Sequence, residues 1–197
     1  DADGNYLTSA LEFETLTLLG SCCAINNWED VADLDRLCDE LGLDTIETGA
    51  AIAVFMDSGG MEWGDAEGAK DLLRKELHNG TDLGKNIGHG ALAIGTARGH
   101  DRIPVAKGQA MPAWDPRPLK ATGITYASSA MGADHTAGLV IDPKISGEDA
   151  VVASQEIQIV NAICDSTGFC MFLGPTIDET RQFLTPFFGE EVSREEV

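Results

Sequence analysis

Apolar positions recur at three- and four-residue spacing through Glu29 to Leu41. Val31, Leu34, Leu37, Cys38 and Leu41 share one stripe, the period of a helix with a single buried face. Asn27 stands where a helix N-cap is expected and Gly42 where the helix should stop. Thr45 to Asp57 predicts a second helix, rich in Ala, with close packing at Gly49, Ala50 and Ala53 and an end at Gly59-Gly60. Asp65 to Asn79 predicts a third, closed by Gly80, and Leu83 to Arg98 a Gly-rich fourth. The pattern then breaks. Ile103 to Arg117, with Pro104, Pro112 and Pro116 and with Pro118 just beyond, reads as irregular and divides the chain into helical domains at 1–103 and 104–197. Tyr126 to Gly138 reads as a loop that turns into a helix, and Pro143 to Asp149 as another break. Ala150 to Cys164 reads as a helix, Met171 to Leu173 as a short buried stretch and Asp178 to Phe188 as the last helix. No segment reads as a strand pair or a hairpin turn. The expected fold class is all-α and multihelical, with long functional loops.

Composition narrows the partners. Acidic residues outnumber basic ones 33 to 13, for a formal charge of −20 and a pI near 4.3. That balance argues against nucleic acid and anionic membrane. It suits a very soluble cytoplasmic protein or one from a salty cytoplasm. The acidic C-terminus, Glu190, Glu191, Glu195 and Glu196, reads as solvated tail. No leader and no long apolar run is seen, so the expectation is a soluble protein that is not exported. Five cysteines, Cys22, Cys23, Cys38, Cys164 and Cys170, make an odd count without a Cys-x-x-Cys pair. Free buried thiols or single metal ligands fit better than a disulfide framework.

The chemistry-bearing signal is a hexapeptide that occurs twice: Asp39-Glu40-Leu41-Gly42-Leu43-Asp44 and Asp165-Ser166-Thr167-Gly168-Phe169-Cys170. Both read Asp-x-x-Gly, then an apolar residue, then Asp or Cys. A carboxylate three residues before a Gly faces a surface with no Cβ, which lets a flat ligand approach the backbone. Carboxylate oxygens accept paired hydrogen bonds, as an amino-pyrimidinone edge would offer. The competing reading is local: Asp-x-x-Gly also simply ends a helix. Glu12 and Glu14 lie in an apolar run, where desolvation would raise a carboxyl pKa, or on a solvated first turn. His78 and His100 read as surface residues, and His89 as part of a Gly-rich turn. His135, after Gly132-Ala133-Asp134, stands in a small-residue loop that a ligand can approach. Lys107-Gly108 and Asp115-Pro116-Arg117 offer cations for an anionic group, or a surface loop with its own ion pair.

Four stretches together resemble the C-terminal part of the tungsten-dependent aldehyde:ferredoxin oxidoreductases. Leu11-Glu12-Phe13-Glu14-Thr15 is similar to that family's Pro-Glu-Tyr-Glu-Thr, with Leu11 for Pro. Leu37-Cys38-Asp39 through Asp44-Thr45-Ile46 is similar to its Leu-Cys-Asp-x-x-Gly-Leu-Asp-Thr-Ile. Lys107-Gly108, Asp115-Pro116-Arg117, Tyr126-Ala127-Ser128-Ser129 and Gly132-Ala133-Asp134-His135 follow its next series. Asp165 to Cys170 is similar to its second Asp-x-x-Gly-Leu-Cys, with Phe169 for Leu. The resemblance implies two pterin dithiolenes holding one tungsten, or molybdenum, beside a 4Fe-4S cluster. It implies oxidation of an aldehyde to a carboxylic acid, with ferredoxin as electron partner. On it, Asp39, Gly42, Leu43 and Asp44 would hold one pterin and Asp165, Gly168 and Phe169 the other. Lys107 and Arg117 would contact the cofactor, and Cys170 would be one of four cluster ligands. Glu14 and His135 would handle protons near metal and substrate.

The departures are specific. The family's Cys-x-x-Cys-x-x-x-Cys, its β-rich pterin-cradling N-terminal domain and its Glu-x-x-His iron pair are not seen; Asp33 and Arg36 occupy that last spacing. The expectation is a fragment, an isolated domain or one subunit of a split enzyme, lacking the full cofactor set alone. The alternatives are a relative reducing aromatic acyl thioesters and a helical module that has lost its cofactors.

Overall fold

A computed structural model describes Gly4 and residues 6–197; positions 1–3 and 5, at the start of the expected first domain, lie outside the described residues. The chain forms two compact units. One holds the described residues through Asp115 together with Ala130–Asp134; the other holds Pro116–Ser129 and His135–Val197. The fold is helical in both, as its pattern predicts.

In the first unit, α1 (Phe13–Thr15) runs without a break into a π-helical turn, Leu16–Gly20, and a 3-10 turn, Ser21–Cys23. Then come α2 (Trp28–Leu41) and α3 (Thr45–Asp57). The stripe predicted for α2 is buried at Val31, Leu34, Leu37 and Cys38, with Leu41 at its edge, and the Asn27 side chain accepts the Glu29 N–H at 2.9 Å. Helix α3 is buried on every side from Thr48 to Met56, so it forms the centre of this unit's core. Gly49 lets it cross the Leu18 backbone: a Cβ there would lie 2.5 Å from the Leu18 carbonyl carbon. The predicted third helix is α4 (Ala66–Asp71), continued by a π turn, Leu72–Leu77, and capped by Asp65.

The single helix expected over Leu83 to Arg98 is two, α5 (Asp82–Gly88) and α6 (Ala91–Arg98). The break is Gly90, at φ 94, and the space a Cβ would take there is filled by the Glu47 carboxylate. The expectation of no hairpin is also corrected. Strands β1 (Val105–Ala106) and β2 (Gln109–Ala110) pair antiparallel around Lys107 and Gly108, at φ 54 and 89. Two positive φ values give the mirror-image turn that suits a tight hairpin. Strands of two residues carry no alternation to read, and Lys is an uncommon residue for the left-handed region.

The second unit contains α7 (Lys120–Ser128), α8 (Gly147–Thr167) and α9 (Ile177–Phe188). The expected loop-then-helix over Tyr126 to Gly138 is reversed: the helix comes first, and a loop follows with one 3-10 turn at His135–Ala137. Gly123, within α7, packs against Pro116. A Cβ on Gly123 would lie 3.0 Å from Pro116 Cβ. Helix α8 is longer at both ends than expected. Met171–Leu173, expected to be buried, is an exposed 3-10 turn, with Phe172 94% accessible. Among the described residues no helix is long and apolar enough to cross a membrane.

Candidate functional site

Each copy of the hexapeptide ends a helix, so the local reading of Asp-x-x-Gly holds at both places. Gly42 closes α2 at φ 69 and Gly168 closes α8 at φ 75. At the first corner the Leu43 N–H donates to Cys38 O (2.8 Å) and the Gly42 N–H to Asp39 O (3.3 Å), the paired bonds of a Schellman stop. Leu43 packs on the core. Asp44 caps α3, its Oδ2 accepting the Glu47 N–H at 2.7 Å. At the second corner Phe169 meets the Phe183 ring edge-on, with centroids 4.8 Å apart. Cys170 precedes the exposed turn and its side chain makes no cap bond. Asp39, Gly42, Asp165, Gly168 and Cys170 are all exposed, and a Cβ on either glycine would meet nothing within 4 Å. The helix stop therefore leaves both carboxylates and both glycine faces open to a ligand.

The proline-rich segment is anchored by two carboxylates. Glu14, on α1, accepts the Ala113 N–H on Oε2 at 2.8 Å. Glu12 is the extended residue just before α1 and stays exposed. Beside Glu14, Phe13 packs on Trp114 at 5.1 Å between centroids. Glu47, on α3, accepts the Ala91 N–H on Oε1 and the Ala110 N–H on Oε2, both at 2.8 Å. Gly132 and Ala133 lie against the hairpin: the Ala133 N–H donates to Ala106 O at 3.3 Å, and a Cβ on Gly132 would lie 3.1 Å from Lys107 Cβ. Two stretches distant in sequence, Lys107-Gly108 and Gly132-Ala133, thus meet in the first unit, and Glu14 holds the loop that follows the hairpin.

His135 and Arg117 belong to the second unit. His135 opens the 3-10 turn; its Nδ1 is buried, whereas Arg117 is exposed. Helix α8 holds this turn, since Asn161 Nδ2 donates to Thr136 O at 2.8 Å and Gly138 packs closely on Ile157 and Gln158.

Three polar features escaped the sequence reading. Glu47 is the first. Its signal was Asp44-x-x-Glu47, a capping-box spacing, although its carboxylate turns to other partners. The second is Lys70, with a side chain only 4% exposed, held by Asp30 (2.6 Å), Glu67 (2.9 Å) and Asp33 (3.0 Å). Burial pulls its pKa down, but the three carboxylates outweigh that and keep the ammonium above its usual range. The third is His100, read as a plain surface residue. Its Nε2 lies 2.8 Å from Asp57, which Arg102 also grips, and the pair holds the Asp57 carboxyl below the usual range. Among the thiols, burial pushes Cys38 up to about 12 and raises Cys22 and Cys23, which disfavours thiolate there. Cys170 is exposed. Among the described residues no group of three or more His, Cys, Asp or Glu is placed to hold a metal ion.

Residues 1–197 match the family described as aldehyde ferredoxin oxidoreductase, domains 2 & 3. The chain belongs to the aldehyde ferredoxin oxidoreductase family. Its relatives include the tungsten-containing aldehyde ferredoxin oxidoreductases of Pyrococcus furiosus and Thermococcus kodakarensis. Each is 27% identical over 96% of this chain and 36% of the relative. The Pyrococcus horikoshii protein of the same description is 26% identical over 98% of the chain and 37% of its own length. The chain thus spans just over a third of the curated aldehyde ferredoxin oxidoreductases it matches.

Proposed function

We propose that this chain is the helical part of a tungsten-pterin enzyme that oxidises aldehydes to carboxylic acids and passes the electrons through a 4Fe-4S cluster to ferredoxin. The observation that carries the reading is the pair of equivalent corners. Two helices end on the same Asp-x-x-Gly, each with an exposed carboxylate and an open glycine face. Each corner, taken by itself, fits an amino-pyrimidinone ring: Asp39 or Asp165 accepts from its donor edge, and Gly42 or Gly168 leaves room for its face. Leu43 and Phe169 anchor the corners from behind. The exposed Cys170 thiol fits one cluster ligand, and the rest of the longer protein supplies the other three and the pterin cradle.

The overall change is an aldehyde and water giving a carboxylic acid, two electrons and two protons. The bound metal supplies the two-electron acceptor. The chain's own part is then protons and orientation. Glu14 Oε1 and His135 Nδ1 are buried polar atoms, so neither side chain is a freely solvated surface group. In this reading they take up and release the protons, while Glu14 Oε2 stays on the Ala113 amide and keeps the carboxylate in place. Lys107 in the first unit and Arg117 in the second each offer a cation suited to an anionic phosphate such as a pterin carries.

A positioned acid or base contributes on the order of a hundred- to ten-thousand-fold in rate. In the complete protein, Glu14→Gln and His135→Ala should therefore each lower turnover by about that factor with tungsten content near normal. Unchanged turnover in both variants would remove the assignment.

A further inference from the structure

We propose that Glu47 is a positioning residue, whose carboxylate fixes the loop that Glu14 holds and so sets where the Glu14 carboxylate stands. The proposal rests on the reading of Glu14 as a proton-handling group.

The sequence Asp44-x-x-Glu47 has the spacing of a capping box, in which the acidic residue reaches back to its own helix start. The same spacing at Thr176-x-x-Glu179 forms the full box at α9. At α3 Asp44 caps the Glu47 N–H, but the Glu47 carboxylate turns away. Its two oxygens bridge Ala91, the first residue of α6, and Ala110 of β2. The backbone at Gly90 is built around that carboxylate. A Cβ there would lie 2.3 Å from Oε1, so only glycine leaves the space.

Accounting for the amides from Ala110 to Ala113 then closes. Ala110 donates to Glu47 Oε2, Met111 to Pro104 O at 2.8 Å, Pro112 has no N–H, and Ala113 donates to Glu14 Oε2. The loop hangs between two carboxylates with no amide left to slip. Asp44 ends the first Asp-x-x-Gly corner, so the chain of bonds runs from that corner through Glu47 to the loop on Glu14. Hydrogen bonds to a charged acceptor are the stronger kind. Glutamine in place of Glu47 keeps one acceptor and turns a donor toward one of the two N–H groups.

The experiment uses the complete protein, with Glu47→Gln, Glu14→Gln and the double variant. It reads amide exchange of peptides covering 109–115, tungsten content, kcat and KM. The Glu47→Gln variant should exchange about tenfold faster or more over 109–115, the scale of one lost charged hydrogen bond. Its kcat should fall with KM little changed and tungsten retained. The double variant should lose no more kcat than Glu14→Gln alone, because Glu47 acts through Glu14. Unchanged exchange over 109–115, or losses in the double variant that multiply, would overturn the proposal. If Glu14→Gln alone keeps full turnover, the reading of Glu14 fails, and the exchange arm alone decides whether Glu47 fixes the loop. Should Glu47→Gln not accumulate, Glu47→Asp is read the same way: its shorter arm cannot hold both amides, so exchange over 109–115 must still rise.

Discussion

The two Asp-x-x-Gly corners differ in what their last residue does. Asp44 has a structural role, because its carboxylate starts α3 three residues after α2 has stopped. Cys170 has no such role. Its side chain caps nothing, it is exposed, and the turn after it is exposed too. The first corner is backed by an extended aliphatic core and locked by Schellman bonds. The second is backed by one aromatic pair in a unit that buries polar side chains alongside apolar ones, such as Thr125 on Ser154 at 2.8 Å. One backbone device thus supports two uses. At one end of the chain the corner joins two helices. At the other it leaves a carboxylate and a thiol exposed.

That contrast predicts unequal costs at the sixth position. In the complete protein Cys170→Ser should lose most of the cluster iron and the ferredoxin-linked activity, since a hydroxyl does not replace a ligating thiolate. Cys164→Ser, Cys22→Ser and Cys23→Ser should keep their iron. Full iron and activity in Cys170→Ser, with loss in another of the four, would show that the alignment around Gly168 is wrong. The smaller effect lies at the other corner. Asp44→Ala removes an N-cap and should destabilise the first unit by about 1 kcal/mol, read as a lower denaturant midpoint. Cys170→Ala should leave the cofactor-free stability within about 0.5 kcal/mol. Equal losses in the two variants would erase the distinction.

The fold was legible where burial is one-sided. The stripe Val31, Leu34, Leu37 and Cys38 defines α2 because its other face meets water. The Asn27 and Asp65 caps mark helix starts because their side chains compete for local N–H groups. A partner far along the chain explains the break at Gly90, and short or irregular neighbours explain the other misses. Gly90 breaks a helix for the sake of Glu47, more than forty residues away. Lys107 enters the left-handed region inside a hairpin too short to show alternation. The stretch from Tyr126 to Gly138 read as a loop first because its small residues show no periodic apolar face, although α7 already runs to Ser128. In the candidate site the same rule holds. The hexapeptide corners are local and visible, whereas the grip of Glu14 on Ala113 joins residues about a hundred apart.

The central claim is that the two corners are equivalent holders of two similar ligands. Pterin and tungsten content of the complete protein, measured for Asp39→Ala and Asp165→Ala, tests it most directly. Both carboxylates are exposed, so neither change should unfold its helix. The account predicts that each variant loses pterin and tungsten to a similar extent, with helical content kept. Normal pterin and tungsten in both variants would contradict it and leave Asp-x-x-Gly as no more than the end of two helices.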